Sequence, residues 1–262
     1  MIKKILEIAR LVMCLGFGAT FLIFTIIAAI FVSSSILYFV MPQLANFNNY
    51  EPAINAISAG LGAINIFLIF LSIFLTFSLL MRQFQKDNLT FMLSKPITTS
   101  QLLLGTSLGI LFVILSFWLI LSSEVLLIIA VFSKEHLSLA VFSLLPVSIL
   151  VFLYLSLAVF FFCLWPSNLS AIFPFLFIIT SILRVEIQNL LLESKIIWLR
   201  KIIDISFFFV PPVGQVLGIS LKNLGMTSIK TDTISILLQS VFIITFFYLL
   251  SLRRIHKIIC RQ

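Results

Sequence analysis

Charge is scarce in this sequence. Only 10% of its 262 residues are Asp, Glu, Lys or Arg, where soluble globular chains run near 25%. A chain this poor in polar side chains has too few to cover a globule, so a soluble fold is excluded. Histidine is almost absent. His136 and His256 both fall in polar connections, which excludes a histidine-built metal site inside the apolar runs. The three cysteines, Cys14, Cys163 and Cys260, have no metal-ligand spacing and suggest no disulfide framework. They read as small buried side chains. Missing too are the glycine-rich phosphate loop ending in Gly-Lys-Ser or Gly-Lys-Thr, the H-E-x-x-H metal motif, and paired aspartates within an apolar run. Gly218-Ile-Ser-Leu-Lys222 stops one residue short of a nucleophile elbow and lies in the wrong context. A stand-alone enzyme is therefore not expected, and neither is a cofactor held by this chain.

What is abundant is apolar surface. Hydrophobic residues make up 61% of the chain, gathered into continuous runs, where a membrane barrel needs alternation in segments of about ten residues. The runs predict an all-α polytopic membrane protein, one transmembrane domain over residues 1–262. Six spans are expected at about 11–41, 57–81, 102–132, 139–165, 169–183 and 234–252. The basic start and first apolar run resemble a signal peptide, but the run is about twice as long as a signal's apolar core, so it reads as a retained span. Leu11 to Met41 is free of charge for 31 residues, about 46 Å of helix against a hydrocarbon core of roughly 30 Å. Such a span must tilt or project. The run 169–183 is short.

Between the last two spans, residues 184–233 combine an amphipathic helix with an apolar segment broken by Pro211, Pro212 and Gly214. Two adjacent prolines remove two backbone donors. That segment is expected to re-enter the membrane from the outer side, covered by protein. Charge sets the orientation. With six spans and both termini inside, ten basic residues (Lys3, Lys4, Arg10, Arg82, Lys86, Lys95, Arg253, Arg254, Lys257 and Arg261) face Glu7 and Asp87 on the inner side. The remaining basic and acidic residues cancel. The whole net charge of +8 then lies inside, as the positive-inside rule requires. The basic balance reports orientation, so no nucleic-acid partner is expected.

One acidic residue, Glu124, lies well within an apolar run. A carboxylate there is a candidate for the path of a transported substrate, and also for an interfacial role, since it sits toward the outer end of its span.

A polar interruption unlike an ordinary connecting loop follows the second span. It opens with Arg82-Gln83-Phe84-Gln85-Lys86-Asp87, turns apolar for Leu89-Thr-Phe-Met-Leu-Ser94, breaks at Lys95-Pro96, and restarts with Thr98-Thr-Ser-Gln101-Leu-Leu-Leu-Gly105. This pattern resembles the membrane subunits of the type-2 ABC exporter family, six-span permeases that pair with a detached nucleotide-binding subunit. Those carry an amphipathic coupling segment after the second span, a leucine-rich turn closed by Pro, and a polar start to the third span with a Gly. The chain departs from the pattern at Gln83, where relatives often have Glu, and at Thr106, where they often have Lys. The resemblance implies a cytoplasmic coupling segment over 82–101, with Arg82, Gln83, Gln85, Lys86, Asp87, Lys95 and Pro96 meeting an ABC ATPase subunit. It implies a homodimer or a heterodimer with a similar permease, ATP and Mg bound by the partner, and a bacterial cytoplasmic membrane. The alternatives are an ion-coupled secondary carrier and a non-transporting membrane assembly factor. The substrate is not legible.

Overall fold

The computed structural model describes residues 2–40, 51–84, 97–132, 134–183, 210–224 and 233–259. All regular structure among them is helical. The main elements are α1 (Ile2–Gly16), α2 (Ala19–Val40), α3 (Glu51–Gln83), α4 (Thr99–Phe132), α5 (Leu137–Leu164), α6 (Ile172–Ile182), α7 (Val213–Asn223) and α8 (Thr233–Ile259). Among the described residues, five helices are long and apolar enough to cross a membrane: Ala19–Tyr38, Ile54–Gln83, Thr99–Val131, Lys134–Leu164 and Thr233–Ile255. These are the marks of an integral membrane protein.

The first expected span is corrected. Residues 11–41 do not form one helix, because the chain breaks at Gly16-Phe17-Gly18. Residues 2–16 become a separate amphipathic helix that buries Ile5, Ile8, Ala9, Val12 and Gly16 along one face. The spacing of that stripe, three or four residues per step, is that of a helix docked on another helix. The break removes the length problem. Helix α2 has 22 residues, about 33 Å, close to the thickness of the hydrocarbon core.

Helix α5 is the axis of the bundle. Its residues Leu153 to Val159 are all buried, and α3, α4, α7 and α8 all pack on it. Pro146 lies inside it and therefore cannot donate to the carbonyl of Phe142 four residues earlier. That carbonyl accepts a hydrogen bond from Asn223 Nδ2 at 2.9 Å instead, which fixes the far end of α7. At mid-length, Tyr154 donates to Asn65 Oδ1 at 2.6 Å, joining α5 to α3 through two buried side chains. Within the apolar interior such a pair leaves neither side chain short of a partner.

Helix α1 lies along the start of α4, and glycine is the reason. A Cβ at Gly105 would come within 2.7 Å of Ile8 Cβ and 2.9 Å of the Ile5 carbonyl oxygen. One at Gly109 would meet the Ala9 carbonyl oxygen at 2.6 Å and Val12 Cβ at 2.7 Å. Residues 105 and 109 are one turn apart on one face, a small-xxx-small groove into which a second backbone settles. Gly16 repeats the arrangement from the other side, against Val113.

Candidate functional site

Besides the Tyr154–Asn65 pair, polar groups among the described residues draw attention to the end of the bundle where residues 82–101 join α3 to α4, a carboxylate near the opposite end, and a helix break between them.

At the first end, α3 finishes with Arg82 exposed and Gln83 and Phe84 buried. Phe84 reaches the ring of Phe162 on α5, centroids 5.8 Å apart. Gln83 is only 4% exposed, so its side chain turns into the bundle. Its Oε1 has no hydrogen-bond partner among the described residues. Gln85, Lys86, Asp87, Lys95 and Pro96 lie outside the described residues. The chain resumes at Ile97, and α4 opens with a reciprocal cap. Gln101 N–H donates to Thr98 Oγ1 at 3.3 Å, and Thr98 N–H donates to Gln101 Oε1 at 3.1 Å. Two orphan donors at the helix start are satisfied by each other's residues, the capping-box arrangement of Ser or Thr followed three positions later by Glu or Gln. Helix α8 ends at the same level. Its Tyr248 lies beside Ser107 of α4, and its Ser251 beside Cys163 of α5. The exposed basic residues Lys3 and Arg10 of α1, Arg82 of α3, and Arg253 and Arg254 of α8 therefore share one end.

Toward the opposite end, Ser33 of α2 donates a hydrogen bond to Glu124 Oε1 of α4. Gly60 of α3 sits close by in the same three-helix junction, where an added Cβ would lie 3.2 Å from both Ile36 and Val125. Glu124 is half-buried, and its second oxygen, Oε2, is buried with no partner among the described residues. On α2, a hollow of about 310 Å³ is lined by Phe31, Ser34, Ser35 and Tyr38. Ser34 and Ser35 donate to the carbonyls of Ile30 and Phe31 on their own helix, so that hollow offers little free polarity.

The break lies between α6 and α7. Helix α6 runs antiparallel to α5: Phe173 packs on Trp165 and Phe161, and Phe177 on Phe161. It stops at Ile182 after 11 residues, about 16 Å, half a bilayer core. Expected as a span over 169–183, it falls short of one by itself. Its end meets the start of α7. Ser181 Oγ donates to the Pro211 carbonyl and accepts from Val213 N–H at 3.0 Å. Pro211 and Pro212 are both buried. Gly214 lets α7 approach closely, since a Cβ there would lie 3.3 Å from the carbonyl oxygens of Ser181 and Ile182. From this joint α7 continues to Asn223 and Phe142, the other end of α5. Helices α6 and α7 thus stand end to end beside α5. The proline pair lies buried at the start of α7. The limb that leads into it, residues 184–209, lies outside the described residues.

No protein-family model matches the chain, and no curated protein is significantly similar to it. The sequence reading missed the glycine groove under α1 and the Ser181 joint. The first was visible as Gly105-x-x-x-Gly109. The second had no local signal, because its partners are thirty residues apart.

Proposed function

We propose that the chain is the membrane-spanning subunit of an ABC exporter, moving its cargo with ATP hydrolysed by a separate nucleotide-binding subunit. One observation carries the reading. The stretch that resembles a coupling segment connects the ends of two long apolar helices, α3 and α4, at the end of the bundle that gathers exposed Lys3, Arg10, Arg82, Arg253 and Arg254. A basic end is the cytoplasmic end by the positive-inside rule, and a cytoplasmic end is where a soluble ATPase docks. The mechanical support is local. The capping box makes the start of α4 a firm handle, and the glycine groove ties α1 to it. A push on residues 82–97 is then delivered to α3, α4 and α1 together, which shifts the bundle between inward-open and outward-open arrangements. In this reading two copies, or this chain and a similar permease, assemble with two ATPase subunits in a bacterial cytoplasmic membrane, both termini cytoplasmic. Gln83 contributes from inside the bundle, and the outward contacts fall to Arg82 and its neighbours.

Charge reversal at Arg82, Lys86 and Asp87 tests the reading. It is expected to lower substrate-stimulated ATPase activity and co-purification of the ATPase while the spans stay folded. Unchanged assembly and turnover would sink it. A second reading, an ion-coupled carrier working alone, is favoured by Glu124 inside its span. It requires transport by the purified chain in liposomes without nucleotide, lost in Glu124→Gln.

A further inference from the structure

Glu124 carries a carboxyl group with only one of its two oxygens partnered among the described residues. Ser33 holds Oε1, while Oε2 is buried with no donor among the described residues. No Lys, Arg or His occurs among the described residues of α2 or α4. A carboxylate at such a place normally pairs with another side chain or serves a function. Depth and surroundings narrow the partner. Helix α4, at 34 residues, is about 51 Å long and overreaches a hydrocarbon core of roughly 30 Å. Glu124 lies near its far end, and Tyr38, 75% exposed on α2, stands little more than a turn beyond Ser33, an aromatic of the kind that marks the membrane interface. Beside the carboxylate, Ile30 on α2 and Ile120 and Leu127 on α4 are exposed apolar side chains.

We propose that Glu124 Oε2 is the receiving atom for an ammonium group on an amphiphile, entering between α2 and α4. The chemistry asks for this class. The site supplies one anionic acceptor and one hydroxyl, so it recognises a cation bearing N–H donors, and the flanking apolar side chains take the hydrocarbon part. With Oε2 covered in this structure, the site is closed and binding opens α2 from α4. Two sources share the chemistry: the headgroup of an aminophospholipid, and a free long-chain amine. The proposal rests on the transport reading only for what the amine is for. Binding itself needs no motor and no nucleotide.

The test uses the purified full chain in nanodiscs of phosphatidylcholine, without nucleotide, so that its failure is separable from failure of the ATPase reading. A lipophilic carbodiimide modifies carboxyls within the membrane, and peptide mass spectrometry reads the modified fraction at Glu124. Added dodecylammonium is expected to slow that modification at least tenfold, with dodecanol and dodecyltrimethylammonium much weaker. Protection on replacing part of the phosphatidylcholine by phosphatidylethanolamine, with no amine added, assigns the site to a lipid headgroup. Protection by dodecylammonium alone assigns it to a free amine. Protection equal for dodecanol or dodecyltrimethylammonium, or no modification of Glu124 under any condition, overturns the proposal. Ser33→Ala, which leaves Glu124 in place, is expected to weaken protection by dodecylammonium without abolishing modification.

Discussion

Asn223 completes the backbone that Pro146 leaves open. The proline, one turn along from Phe142, removes the donor its carbonyl would have had, and the Asn223 amide at 2.9 Å takes that place. Asn223→Ala is expected to cost about 1 kcal/mol, the usual net worth of a neutral hydrogen bond, lowering the apparent melting temperature of the detergent-solubilised protein. In a Pro146→Ala background the helix closes its own bond and the same Asn223→Ala change should cost much less. A double-mutant cycle measures that coupling. Equal losses in both backgrounds would show that Asn223 acts elsewhere.

The groove under α1 gives a steric prediction. Gly109→Leu places atoms where the Ala9 backbone lies, and backbone cannot rotate away as a side chain can. The expected outcome is release of α1 with the spans intact. A cysteine introduced at Ala9, buried in the native protein, should become reactive to a water-soluble maleimide. Gly62→Ala, with nothing within 4 Å of the added atom, is the matched control and should leave that cysteine protected.

Ser181 makes two hydrogen bonds across the junction of α6 and α7. Ser181→Ala removes both bonds and leaves the Pro211 carbonyl and the Val213 N–H only their mutual hydrogen bond at 2.9 Å. At about 1 kcal/mol for each hydrogen bond lost, the joint should open before the bundle melts. Hydrogen exchange at residues 213–216 reports it: faster exchange there with unchanged protection in α5 is expected, and unchanged exchange at both would remove Ser181 from the joint.

The cap on α4 connects stability to coupling. Thr98→Ala removes one side of the reciprocal pair and should cost about 1 kcal/mol. Since this is the helix start on which the proposed motor pushes, the ratio of transport to ATP hydrolysis should fall further than the small stability loss implies. Thr98→Ser, which keeps the acceptor oxygen, should restore it. A ratio unchanged in Thr98→Ala would separate the cap from coupling.

Long apolar runs were easily read from the sequence, because burying or solvating twenty uncharged residues leaves few alternatives. Thr98-x-x-Gln101 stood out only as a polar restart; its pairing as a cap, with both partners within one turn, went unread. The break at Gly16-Phe17-Gly18 was not. Phe17 keeps the run apolar, and two glycines in a membrane helix are ordinary. Only the excess length, about 46 Å in a core of roughly 30 Å, hinted that the run held more than one helix. The short run 169–183 was visible as short, but its continuation in α7 depends on a contact between distant residues that no local pattern encodes. The basic residues were grouped on one side by charge only once six spans had been assumed. That Gln83 turns inward is a matter of tertiary packing, which sequence spacing does not fix.

The glycine groove on α4 also sets an order of events during synthesis. Helix α1 leaves the ribosome before α4, and its docking surface is made only after α2 and α3 have followed. Until then its apolar face, Ile5, Ile8 and Val12, has the bilayer surface as its one available shelter, where Lys3, Lys4 and Arg10 suit it to anionic lipid. Helix α1 thus reaches its final place only after helices that follow it in sequence, and must be held at the membrane surface until α4 arrives.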